Sequence, residues 1–74
     1  MKYRPGDRIL YKHPGDSRAE QATIMSIGDE DNYWIKWDGT EHFTENPISD
    51  IDADPYVYPL TETTKILYGT QNDA

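Results

Sequence analysis

The sequence predicts a small all-β domain: five short strands in a strongly curved sheet, with one helical turn before the last strand. Three observations carry this. Residues 21–39, QATIMSIGDEDNYWIKWDG, hold a dense group of strong apolar residues and both tryptophans, and they read as a hairpin. The remaining apolar residues fall in short extended runs separated by turn clusters of Pro, Gly, Asp and Asn. With 74 residues there is room for one domain, and a chain of that size buries only about 60% of its unfolded surface, so the core is modest.

Taken in order, Arg4-Pro5-Gly6-Asp7 is a turn signal, and residues 8–11 then form a first strand with Ile9 and Tyr11 on one face and Leu10 on the other. Residues 13–20, HPGDSRAE, lack a large apolar side chain and form an exposed loop, the kind of segment that often borders a binding site. Residues 21–27 are rich in β-branched side chains and form strand two; Ala22, Ile24 and Ile27 share a face only if the strand bends near Met25-Ser26. Gly28 and Asn32, tolerant of positive φ, flank three carboxylates that resist burial, so the chain turns there. Residues 33–37 form strand three, with Tyr33, Ile35 and Trp37 on one face and Trp34 and Lys36 on the other.

Asp38-Gly39 is a two-residue hairpin signal, so the next strand is expected from Thr40, with Phe43 as its one strong apolar anchor. Residues 47–51, PISDI, predict a helical turn presenting Ile48 and Ile51, three apart, to the core. Residues 56–60, YVYPL, suit a short edge strand, because Pro59 cannot donate to an interior ladder. Residues 63–68 favour a strand through Thr-Thr and Ile, although Thr61 as a cap and Gly69 as a stop suit a short helix. Residues 1–60 are thus the domain and residues 61–74 an extension, with a disordered tail expected from Gln71.

Composition narrows the function classes. Nine aromatic residues (six Tyr, two Trp, one Phe) argue for a folded chain with an aromatic core despite a mean hydropathy of -0.92. The formal net charge of -7 disfavours direct nucleic-acid binding, which is driven by Lys and Arg displacing counterions. An acidic surface instead suits a basic protein segment, or imitates nucleic acid in a protein's basic groove. No cysteine is present, the start MKYRPGDRIL lacks a signal-peptide apolar run, and no stretch reaches membrane-spanning length, so a cytoplasmic location is expected.

Catalytic and metal signatures are weak. Asp50, Asp52 and Asp54 alternate like the first half of a calcium loop, but Pro55 stands where the sharp turn needs Gly, and Thr61 where a bidentate Glu belongs. His13 and His42 lack ligand spacing, no nucleophile elbow or Gly-rich phosphate loop occurs, and neither a cofactor nor catalysis is expected.

The ordered signals GDRILYKH, QATIMSI, NYWIKWDG and PISDI resemble the Tudor domain, a five-stranded SH3-like barrel. The resemblance implies an aromatic cage for methylated Arg or Lys. The cage positions fall at His13, near Glu20, at Trp37 and at Thr40, of which Trp37 alone is a cage aromatic; Tyr11, Tyr33 and Phe43 are the aromatics nearest in sequence to rebuild it.

The resulting expectation is a non-enzymatic module, monomeric or weakly self-associating, that binds a basic protein segment. Trp37 and Phe43 serve as apolar anchors, Tyr11 and His13 as the loop wall, and Glu20 and Asp38 as charge partners. Two further readings stay open: an acidic inhibitor of phage or mobile-element origin acting by surface mimicry, and similarity to the plasmid-type dihydrofolate reductase. That reductase also opens with Gly-Asp-Arg but lines its tetramer pore with a Val-Gln-Ile-Tyr strand absent from this chain.

Overall fold

Short extended runs, alternating most clearly in the central hairpin, form five strands of three to eight residues in a computed structural model that describes residues 1–69. They are β1 (Arg8–Tyr11), β2 (Glu20–Ile27), β3 (Asn32–Trp37), β4 (Phe43–Pro47) and β5 (Val57–Pro59). Helix α1 (Ile48–Ala53) lies between β4 and β5, and α2 (Glu62–Thr64) follows β5 and runs on as a π-type turn over Lys65–Gly69. All five strands join one antiparallel sheet in the order β4-β3-β2-β1-β5, and no ladder joins its two ends among the described residues. The tail expected from Gln71 lies outside the described residues.

The central hairpin has the predicted bend. Ile24 pairs with Ile35 but Ser26 pairs with Trp34, so Met25 is the extra residue of a bulge that turns Ile27 back toward the inner face opposite Tyr33. The turn differs in detail: positive φ falls at Asp31 (60°) rather than at Gly28 or Asn32. Gly28 serves a different purpose. A Cβ there would lie 2.9 Å from the Trp34 indole nitrogen, so the indole is laid on bare backbone and covers the turn.

The Asp38-Gly39 connection is longer than expected. Only Gly39 has positive φ (84°), Thr40 donates its N–H to the Trp37 carbonyl (3.3 Å), and β4 starts at Phe43, not Thr40. A type I′ hairpin needs positive φ at both central residues, and Asp38 does not take it.

The inner face carries the core: Tyr3, Ile9, Ala22, Ile24, Tyr33, Ile35, Ile51 and Val57, with Tyr11, Ile27, Trp37 and Ile48 packed at its margin. It is mainly aliphatic rather than aromatic. Among the described residues, Tyr3 and Tyr33 are the rings buried in it, and the other tyrosines and both tryptophans are partly exposed. Helix α1 closes the core as predicted, through Ile51 and the half-buried Ile48. Leu10 points to the outer face, yet it too is fully buried, beside its register partners Gln21 and Tyr58.

Two polar clusters fix the ends of the sheet. The Tyr33 hydroxyl accepts the Tyr3 N–H (3.1 Å) and donates to Asp52 (2.7 Å), whose other oxygen accepts the Lys2 N–H (3.0 Å); together these join the N-terminal segment to α1 and β3. Asp54 accepts the Tyr56 N–H at 2.8 Å. Two carboxylates of the alternating Asp50, Asp52 and Asp54 series are thus engaged by protein donors.

The strand expected over residues 63–68 is not formed. Thr61 and Thr64 make a reciprocal capping box, each side-chain oxygen accepting the other's N–H (3.1 and 2.9 Å), and this local closure outweighs the β-propensity of Thr-Thr-Ile. The turn then stacks Tyr68 on Tyr58, with ring centroids 4.4 Å apart and planes at 14°, and leaves Ile66 and Leu67 exposed.

Candidate functional site

Antiparallel pairing of β1 with β2, β2 with β3 and β1 with β5 brings the ends of four elements together beside the loop that follows β1. Ala22 opposes Trp37 and Val57 opposes Tyr11, which places Tyr11 and Trp37 at the open margin of the inner face. Their rings meet edge to face, with centroids 6.3 Å apart and planes at 79°. The Trp37 indole is oriented by β4: its N–H donates to Thr44 Oγ1 (2.9 Å), and that hydroxyl donates to Asn46 Oδ1 (2.9 Å).

Beneath these rings lies a cleft of about 410 Å³. Tyr11, Trp37, Ile51 and Val57 form its apolar walls, and Glu20, Asn46 and Asp54 its polar rim. His13 continues the aromatic wall outward, 6.5 Å from Tyr11 and 5.3 Å edge to face from Tyr56. The imidazole is held by the Gly15 N–H, which donates to Nδ1 (3.2 Å), so the Pro14-Gly15 turn sets the ring angle.

The electrostatics favour a cation. Partial burial pushes the Tyr11 phenol above its ordinary pKa, and the carboxylates of Asp54, Asp16 and Glu20 push it further. The Lys12 ammonium is engaged within the loop, donating to the carbonyls of His13 and Asp16.

Of the expected site residues, the structure brings Tyr11, Glu20 and Trp37 into one cleft and sets His13 against it. Asp38 is placed differently. Both its oxygens are held by Arg8 (2.7 and 2.6 Å), and this guanidinium holds the Asp38 carboxyl below the usual carboxylate range. Phe43 is separated from the cleft. It opposes Lys36 on β3, and so lies on the outer face, away from Trp37. Thr40 closes the Gly39 turn through its N–H.

The cleft also contains residues the sequence reading missed: Asn46, Ile51, Asp54 and Val57, with Tyr56 beside it. Asn46-Pro47 and Asp54-Pro55 read as punctuation between elements; the Tyr11–Val57 register brings the second to the cleft and the Tyr33–Asn46 register the first. A larger hollow of about 580 Å³ lies between the 16–21 loop and Asp38, but it is walled by polar loop groups that hold water well. The aromatic cleft is the better ligand site because apolar walls with few polar groups gain most from releasing water.

Among the described residues, no group of three His, Asp or Glu side chains converges on a metal position, and no helix is long and apolar enough to cross a membrane. Comparison with protein-family models, with curated proteins and with solved structures found no match.

Proposed function

We propose that this chain is a non-enzymatic interaction module with a Tudor-type, SH3-like barrel, and that it takes a cationic side chain of a basic protein segment into the cleft between Tyr11 and Trp37. The barrel reading is supported by the meander order β4-β3-β2-β1-β5 and by a helical turn placed between β4 and β5. The binding reading rests on one observation: two aromatic rings at 79° share a cleft with the carboxylates of Glu20 and Asp54. A cation over such ring faces gains about 0.5–2 kcal/mol per favourable contact, more as water is excluded, and the carboxylates at the rim add attraction that salt weakens.

The test is titration of the full chain with a synthetic lysine- and arginine-rich peptide, followed by indole fluorescence and backbone NMR shifts. Binding is expected to perturb Trp37, Tyr11 and Glu20 together. Trp37→Ala is expected to weaken it at least tenfold, and Glu20→Gln to weaken it less while flattening the salt dependence. Denaturation curves for each variant confirm folding. Equal affinity of the native chain and Trp37→Ala would remove the cleft from the interaction.

A further inference from the structure

The two free edges of the sheet are chemically unlike each other. On β5, Lys12 donates to the Tyr56 carbonyl and Leu60 to the Arg8 carbonyl (both 3.0 Å), which puts Tyr58 in register to bond β1 and turns the Val57 and Pro59 backbone outward. That outward edge is blocked. The Val57 N–H is taken by the Asp54 carbonyl (3.3 Å), Pro59 has no N–H, and the Pro59 carbonyl accepts from Thr64 Oγ1 (2.7 Å).

On β4, Ile48 donates to the Asp31 carbonyl (2.9 Å), so by ladder alternation Asn46 and Thr44 bond β3 while Phe43 and Glu45 turn their backbone groups outward. Among the described residues, nothing pairs with those outward groups, and Pro47 limits the open stretch at its far end.

We propose that the outer edge of β4 accepts an extended segment of a basic partner protein as an added strand, bonded to the N–H and C=O of Phe43 and Glu45. Charge selects this occupant. Glu41 precedes the strand, Glu45 lies on it, and Asp29, Glu30 and Asp31 flank its far end, in a chain of net charge -7. A second copy is disfavoured for the same reason, because edge-to-edge pairing of β4 with β4 sets these carboxylates against one another.

The added strand gives each face of the partner something to meet. Residues of one parity lie on the outer face beside Phe43, which is 48% exposed and already has apolar surface to cover. Residues of the other parity lie beside Thr44 and Asn46, about 4.8 Å from β4, where a lysine side chain reaches the cleft that Asn46 lines.

The β4 edge adjoins the cleft through Asn46 and is tested by its own substitution. The probe is a ten-residue peptide of alternating lysine and valine, titrated against the full native chain, Glu45→Gln and Glu45→Pro. The two variants carry the same charge; proline removes the outward N–H together with the side-chain acceptor of the Asn32 amide, while the ladder bonds to β3, made by Thr44 and Asn46, are kept. Glu45→Gln is expected to bind within about threefold of native and Glu45→Pro at least tenfold more weakly than Glu45→Gln. Saturating peptide is also expected to slow amide exchange at Phe43 and Glu45 in the native chain, a readout that does not depend on how well the proline variant folds.

Equal affinity of the two variants, unchanged exchange at Phe43 and Glu45, or no binding to the native chain overturns the edge proposal. Trp37→Ala reports on the cleft and leaves the outward N–H of Glu45 in place. If it loses binding while Glu45→Pro retains it, the cleft stands and the edge falls; under the opposite pattern the edge stands and the cleft falls.

Discussion

Removing one oxygen from Tyr33 tests how the N-terminal segment is held. Tyr33 is fully buried, and its hydroxyl bridges the Tyr3 N–H (3.1 Å) to Asp52 (2.7 Å). Tyr33→Phe keeps the ring and its edge-to-face contact with Tyr3, at 6.0 Å between centroids. It leaves the Tyr3 N–H without an acceptor in a buried position, a cost of about 1–3 kcal/mol. It also removes the bond to Asp52, whose side chain is 25% exposed and so recovers part of the loss from water, leaving about 0.5–1.5 kcal/mol.

The sum, about 1.5–4.5 kcal/mol, is large against the roughly 4–11 kcal/mol available to a chain of this length. Urea denaturation followed by circular dichroism measures it directly, and the expected fall in Tm is about 10–25 °C. Amide exchange at Tyr3 should accelerate by more than exchange in β2. A double-mutant cycle with Asp52→Asn should show coupling of about 1 kcal/mol. A Tyr33→Phe chain within about 0.5 kcal/mol of native would refute the bridge as a stabilising element.

Two pH predictions concern the Tyr3 phenol and the Arg8–Asp38 pair. Burial, reinforced by Asp52, pushes the Tyr3 phenol from 10.0 to about 12, so the fold favours the neutral ring; that stability is complete below pH 10 and is lost as pH rises through about 12. After allowance for solvent screening the loss is on the order of 1–2 kcal/mol, and Tyr3→Phe should abolish this alkaline component in denaturation midpoints. The Tyr3 hydroxyl has no partner among the described residues, so the same variant should be neutral or slightly stabilising near neutrality. Asp38 has the opposite sign. Arg8 lowers its pKa, so its contribution is present above the usual carboxylate range and is lost as pH falls through and below it. With both side chains partly exposed (38% and 48%), the pair is worth at most about 1 kcal/mol, and Asp38→Asn should flatten the acid limb less at high salt than at low salt.

Where a local pattern sufficed, the sequence was legible. Alternation around Ile24, Tyr33 and Ile35 located the central hairpin and its inner face, the mismatch of Ala22 and Ile27 located the bulge, and Pro59 marked an edge strand. Legibility failed where competing local bonds decide. Thr61 and Thr64 had strand-like identities, yet their hydroxyls close on each other's backbone and start a helical turn. Asp38-Gly39 had the right composition for a tight hairpin, but Asp38 also meets Arg8 from β1, a partner 30 residues away that spacing cannot reveal. The site was half legible for the same reason. Tyr11, Glu20 and Trp37 sit at strand ends, whereas Asp54 and Asn46 join them only through the pairing of β5 with β1 and of β4 with β3.

The distribution of engaged carboxylates bears directly on what this acidic chain attracts. Asp7 accepts the Arg4 N–H, Asp38 is held by Arg8, Asp52 by Tyr33 and Lys2, and Glu45 by the Asn32 amide at 2.6 Å. These carboxylates are oriented by donors within the fold and so are less free to turn toward a partner, while the net charge stays at -7. Glu20 at the cleft and Glu41 beside β4 have no such partner among the described residues, and they stand near the two surfaces proposed to bind. A diffuse acidic coat would make every basic partner equivalent. Carboxylates placed beside two facing rings and an unpaired strand edge instead favour a cationic side chain presented from an extended backbone, with selectivity set by geometry and only the encounter rate by net charge.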